Sequence, residues 1–398
     1  MSDVQALDAV EAAAADTAVN PVPPDGKRRA IVFIPGLKRV ERNARRRELV
    51  ENLLVNEQVP LRRSGDDDSA EIKIPGAAGV RLRATGMRAN GKMPGFETLD
   101  VFEAYWVDQL PADAEQKPFV RVTRGLSLLA YWLVSPLWRA FSSTTWQITA
   151  GLLFGGVALV VWYLSILITV AGLWLKQPPE QIGEIVTVAG SGFGTWLKGA
   201  ATWLVEWKAW PLIAFLMPIT PVMVVVDHAQ AVKTLLTNAL AGAAVGRRSL
   251  ARKAVGDVLS AVAGQDADAG EPAYDEVIIL AHSFGTVILI DLLADWPHTD
   301  DFRRLKVVTL GSPESVLAVR SNWLRAETAK VLAAKPVLSW VDVSSANDYL
   351  SAPIDGHAAA YGEEARLVIP PERGSMPFTS SAHDAYVSAP EVLRLLLQ

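Results

Sequence analysis

Short runs of apolar, often β-branched residues recur along this chain, and their spacing carries most of the fold. Ala30-Ile31-Val32-Phe33-Ile34, Val277-Ile278-Ile279-Leu280 and Leu305–Leu310 are continuous rather than alternating. That pattern suits strands buried on both faces of a parallel sheet. Leu99–Val107, Pro336–Val343 and Ala365–Ile369 read as further strands. Between Pro60 and Gly95 the pattern changes to strict alternation, Glu71-Ile72-Lys73-Ile74 and Val80-Arg81-Leu82-Arg83. These predict short antiparallel strands at a sheet edge. Helical patterns fill the intervals: Glu41–Val55, with Arg45, Arg46 and Arg47 on its exposed side, the Ala- and Leu-rich segment His228–Ala263, and the apolar run that follows Ser283. Strands alternating with helices predict an α/β architecture with a mostly parallel central sheet.

The middle of the chain breaks this pattern. Ala140–Leu175 contains no charged residue. Within it Trp146–Leu175 exceeds the ~20 residues that span a bilayer. Trp146 and Trp174 stand at its two ends as interfacial anchors, the latter two residues before Lys176. A transmembrane helix over 146–175 follows. Gly125–Phe141, apolar and Trp-rich but interrupted by Pro136 and Arg139, suits a segment lying along the interface. A second uncharged stretch, Trp210–Val226, would be about 25 Å long as a helix and holds Pro211, Pro218 and Pro221. The strands before and after must join one sheet, so two spans return the chain to the side it left. The alternative is a hairpin that dips into the membrane without crossing it. Arg121, Arg124 and Arg139 precede the first span, and Lys233, Arg247, Arg248, Arg252 and Lys253 follow the second. The intervening loop balances Lys176, Lys198 and Lys208 with Glu180, Glu184 and Glu206. The positive-inside rule then puts the sheet on the cytoplasmic side of an integral membrane protein, of a bacterial inner-membrane type.

Composition narrows the chemistry. The net charge of −5 over 398 residues gives no basic footprint for nucleic acid. With no cysteine, disulfides, thiolate metal sites and a cysteine nucleophile are all excluded. The mean hydropathy of +0.21 and the 13 tryptophans trace largely to the central region. Residues 1–26, rich in Ala and Asp and ending in Pro21-Val22-Pro23-Pro24, form an expected mobile tail without an apolar leader segment. Asp66-Asp67-Asp68 lacks the ligand spacing of a calcium loop.

The candidate chemistry centres on Ala281-His282-Ser283-Phe284-Gly285, a turn of small residues between a buried strand and a helix. Downstream come Asp348, in the loop after Pro336–Val343, and His383, after Ala365–Ile369; upstream, Ala30–Ile34 ends in Pro35-Gly36. With Trp340-Val341-Asp342-Val343 and His383-Asp384-Ala385-Tyr386, these segments resemble the lipase- and esterase-like members of the α/β-hydrolase superfamily. The resemblance covers Arg29–Val107 and Tyr274–Gln398. It implies an α/β-hydrolase domain in two parts, residues 27–124 and 228–398; the membrane region expected over 125–227 lies outside the resemblance. It also implies a nucleophile elbow at Ser283, with Asp348 as the acid and His383 as the base. The backbone N–H groups of Leu37 and Phe284 would form the oxyanion hole. Two positions depart from the usual pattern: Ala281 stands where Gly is commoner, and Pro35 where His is. Asp342, within the strand, is the lesser candidate for the acid. His357 precedes the last strand rather than following it, and His282 is expected to be structural.

No metal or organic cofactor is implied. A site tethered at a bilayer would meet lipids or other long acyl esters. Two other readings stay open: a non-catalytic membrane scaffold that keeps the fold, and a peptidase or thioesterase with the same three residues.

Overall fold

The computed structural model describes residues 27–64, 71–88, 92, 94–110, 128, 157, 160, 161, 199, 222–240, 245–264, 273–297, 299–348, 351–370 and 380–398. The chain divides into two compact units. One comprises Met1–Ala112, Pro136–Ile148 and Thr234–Gln398, and the other Asp113–Ser135 and Thr149–Lys233. In the second unit the structure describes residues 222–233 and a few isolated positions. The expected tail, the Asp66–Asp68 loop and nearly all of the stretches 125–141, 146–175 and 177–209 lie outside the described residues. Of the stretch 210–226, residues 222–226 are described and begin a helix, Val222–Leu236. Among the described residues no helix is long and apolar enough to cross a membrane.

The first unit is built on a nine-stranded sheet. Its strands are β1 (Arg28–Ile34), β2 (Leu61–Arg63), β3 (Glu71–Ile74), β4 (Ala77–Ala84), β5 (Thr98–Glu103), β6 (Glu276–His282), β7 (Leu305–Leu310), β8 (Ser339–Ser345) and β9 (Arg366–Ile369). The order is β2-β4-β5-β1-β6-β7-β8-β9, with β3 also on β4. From β5 to β9 every neighbouring pair is parallel, whereas β2, β3 and β5 each pair antiparallel with β4. Continuous apolar runs thus became the parallel strands, and alternating ones the antiparallel edge. The helices are α1 (Ala44–Leu54), α2 (Val222–Leu236), α3 (Arg247–Ala263), α4 (Phe284–Ala294), α5 (Glu314–Ala318), α6 (Asn322–Ala334), α7 (His357–Tyr361), α8 (Ser380–Asp384) and α9 (Pro390–Leu397).

Alternate side chains of the central strands build two cores. Ile31, Phe33, Ile278, Leu280, Val308 and Leu310 share one cluster with Leu49 and Leu53 of α1 and Val392 and Leu396 of α9. Over the other face α3 packs on β1, and α4 packs on β6 and against α3 and α6. Helix α4, FGTVILIDLLA, is almost entirely apolar and every residue in it is buried, its one charge, Asp291, being paired with Arg248 and Arg252.

Three expectations need correction. The strand drawn over Leu99–Val107 ends at Glu103, and a short 3₁₀ turn occupies Val107–Gln109. Trp106 leaves the sheet and donates its indole N–H to Pro35 O at 2.8 Å. The expected exposed arginine face of α1 holds only for Arg47; Arg46 is buried and bonds through its guanidinium to Ala78 O, and Arg45 pairs with Glu48 and Asp384. The segment expected to be one helical stretch over His228–Ala263 is two helices, parted by a bridge between Leu240 and Gly246.

Candidate functional site

The sheet topology selects one place for chemistry. From β1 the chain builds toward β5 on one side, and from β6 it builds toward β9 on the other. Loops leaving the carboxyl ends of β1 and β6 therefore diverge. In open parallel sheets such a switch point is where ligand crevices form. Gly36 follows β1 and Ser283 follows β6, so the two candidates flank that point.

Ser283 sits at φ 54°, ψ −127°, one of four non-glycine residues with positive φ among those described. Such a conformation costs about 1–3 kcal/mol, and the surrounding packing must hold it. Its N–H donates to Leu310 O at 2.8 Å, and the backbone turns at once into α4. The small residues around the turn have steric work: a Cβ on Gly285 would lie 2.5 Å from Ile34 O, and one on Gly36 would lie 2.8 Å from Ser283 Cβ. The β1 loop is thereby pressed against the serine. The half-buried Ser283 also stands at the amino end of an eleven-residue helix, whose dipole favours negative charge there. Phe284 is buried against Trp106, with ring centroids 6.1 Å apart. Among the described residues no hydrogen bond takes up the amide N–H of Leu37 or of Phe284.

Asp348 and His383 meet. His383 Nδ1 lies 2.7 Å from Asp348 Oδ2, and both residues are buried. The aspartate leaves the turn after β8, and the histidine rides on α8, after β9. His282 links this pair to the serine's own segment. Its Nε2 is 2.7 Å from His383 O, so the nitrogen must be the donor, and the two rings lie 4.8 Å apart. Burial, with His383 beside it, pushes His282 down to about 3, so it stays neutral. Among the described residues no hydrogen bond joins the Ser283 hydroxyl to His383. With Nδ1 on the carboxylate, His383 has Nε2 left for a proton acceptor's work.

The lesser candidates are engaged elsewhere. Asp342 accepts from Thr309 Oγ1 at 2.7 Å and from Ile354 N at 2.9 Å, and burial pushes it up to about 6. His357 is buried and stacked on Tyr361, with Trp340 at its edge; burial pushes it down to about 4.

Sequence reasoning noted the His383–Tyr386 stretch but left the contacts of Tyr386, Gly311 and Asp384 unread. Tyr386 donates to Asp348 Oδ2 at 2.9 Å; its signal was the three-residue spacing from His383, which puts both on one side of a helical turn. Gly311 (φ +58°) leaves room for them: a Cβ there would lie 2.7 Å from Tyr386 Cε2 and 3.0 Å from Asp348 Oδ2. Asp384, next to His383, is tied to Arg45 and to Lys38, the latter at 2.6 Å, which binds α8 to the β1 loop and α1. Nothing local in the sequence announces those pairs. No family model matches this chain, and neither a curated protein nor a solved structure does.

Proposed function

We propose that this chain is a membrane-bound serine hydrolase of the α/β-hydrolase fold, cleaving a lipid or other long acyl ester through Ser283, His383 and Asp348. The observation that carries the reading is the 2.7 Å contact of His383 with Asp348, held by His282 beside a strained serine at the sheet's switch point. In this reading Ser283 Oγ attacks the acyl carbonyl carbon while His383 Nε2 takes the hydroxyl proton. Asp348 fixes the imidazole's orientation and stabilises the imidazolium that forms. The carbonyl oxygen becomes an oxyanion facing the N–H groups of Leu37 and Phe284, at the positive end of α4; each such donor is typically worth ~3 kcal/mol. His383 then protonates the departing alcohol oxygen. Water, deprotonated by the same imidazole, attacks the acyl-serine ester and releases the acid.

The substrate class rests on the uncharged stretches 146–175 and 210–226, which would hold this site at a lipid surface on the cytoplasmic side. No metal or cofactor enters the scheme.

A panel of p-nitrophenyl and glycerolipid esters, presented to the detergent-solubilised full chain, tests the reading. Ser283→Ala should lose at least about 10³-fold in kcat/KM. Turnover that survives that substitution would overturn the assignment. Faster cleavage of a peptide or thioester than of any ester would move it to another acyl-transfer class.

A further inference from the structure

We propose that Tyr386 is a positioning residue of this site, its hydroxyl held by Ser351 so that it fixes the Asp348 oxygen on which the His383 imidazole depends. The inference rests on the serine-hydrolase reading and deepens it.

One oxygen carries two donors. Asp348 Oδ2 lies 2.7 Å from His383 Nδ1 and 2.9 Å from Tyr386 Oη. An ionised carboxylate only accepts, and a phenol has one proton. That proton therefore goes to Asp348. Ser351 Oγ, 3.2 Å from Tyr386 Oη, must then donate to the phenol oxygen, which completes a directed series from Ser351 through Tyr386 to Asp348. The tyrosine ring is fully buried, edge-on to His383 at 6.3 Å and 6.1 Å from His282. Burial, with the Asp348 charge next to it, raises the phenol far above its ordinary value, so it remains a protonated donor at any working pH. The imidazole and the phenol leave the backbone three residues apart, from α8 and the 3₁₀ turn Ala385–Ser388. One short stretch thus supplies both donors to a carboxylate that comes from the turn after β8.

The chemical consequence has a sign. A hydrogen bond from the phenol draws charge away from the carboxylate and holds Oδ2 in place. Without it the carboxylate stabilises the imidazolium more strongly, so the base binds its proton more tightly, and the oxygen is less well aimed. Among the described residues the other charged or titratable neighbours stay constant in such a comparison: neutral His282 on the His383 carbonyl, and Asp384 with Lys38 and Arg45.

Tyr386→Phe keeps the ring and removes only the hydroxyl. We expect kcat to fall on the order of tenfold with KM unchanged, as for an interaction made with the reacting assembly rather than with substrate. The acid limb of kcat/KM should move up by about half a pH unit or more. Ser351→Ala should move it in the same direction by less. The same upward displacement should appear in the NMR titration of the His383 imidazole in a Ser283→Ala background, which needs no turnover. An unmoved titration in both variants, whatever happens to kcat, would reduce Tyr386 to packing and overturn the inference. If the wild type cleaves no ester, the hydrolase reading fails on that result alone, and the imidazole titration still decides the role of Tyr386. Should the Phe variant not fold, the Ser351→Ala titration decides.

Discussion

The two ends of the parallel strands treat buried polar groups in opposite ways. At the amino ends, charge meets charge: Arg29 pairs with Glu276 at 2.7 Å, and Glu276 with Lys306 at 2.8 Å. Nearby the fully buried Asp100 receives two bonds from Arg81, at 2.8 and 2.7 Å, and a third from Tyr274 Oη. At the carboxyl ends Asp384 is likewise held by Lys38 and Arg45, but two fully buried carboxylates accept from neutral donors among the described contacts. Asp348 takes its bonds from an imidazole and a phenol, and Asp342 from a hydroxyl and an amide N–H. The backbone differs too, since Ser283 and Gly311 both hold positive φ at the carboxyl ends. On the proposed reading the difference would separate support from chemistry: ion pairs would brace the sheet away from the reacting groups, whereas the carboxylate at the His383 imidazole accepts from uncharged donors.

Substitutions at each end should sharpen that contrast. Arg81→Ala leaves the buried Asp100 charge with its bond from Tyr274 Oη and, since Arg81 is itself partly exposed, should cost about 3 kcal/mol of unfolding free energy. Its kcat/KM per folded molecule should stay at the wild-type value; denaturant titration beside the ester assay checks both. Gly36→Ala should do the reverse. Its Cβ must displace the Ser283 side chain, and kcat/KM should fall about 100-fold, the cost of misplacing a reacting group by roughly an ångström. Circular dichroism should show the fold retained.

The smallest effect concerns Glu314, buried near the carboxyl end of β7. Its Oε1 accepts from Thr328 at 2.8 Å, and burial, with Asp355 and Asp342 adding, pushes it up to about 7 from an ordinary 4.5. A carboxyl whose folded value is raised destabilises once the unfolded chain ionises. The penalty is absent below about pH 4.5, grows from there to pH 7, and is complete above. The gap between the two values caps it at about 3 kcal/mol. Glu314→Gln should therefore stabilise the protein by about 2 kcal/mol at pH 8 and change little at pH 4. Equal gains at both pH values would show that burial does not keep this side chain protonated.

How much of this was legible beforehand depends on how local each signal is. Val277–Leu280 announced β6 because a continuous β-branched run bounded by turn residues has few other uses. Ala104–Val107 continued the same apolar pattern, yet left the sheet, because burial in a core does not require a strand. Arg45 and Arg46 read as a solvated face because their partners, Asp384 and the Ala78 carbonyl, lie far off in sequence. The same distance hid Tyr386 from Asp348, although its spacing from His383 was in plain view. Asp348 and His383, chosen by chain order after their strands, do meet; the bond from Tyr386 to the same carboxylate was not legible. Of the stretches 146–175 and 210–226, the described residues are 157, 160, 161 and 222–226, the last five opening α2.

The central claim is that Ser283 is an activated nucleophile, and a fluorophosphonate probe tests it most directly. Incubated with the folded full-length chain and mapped by peptide mass spectrometry, the probe should leave a single covalent adduct on Ser283, absent from a His383→Ala variant. A folded chain that takes up no probe, or that takes it up at another residue or equally without His383, would contradict the account.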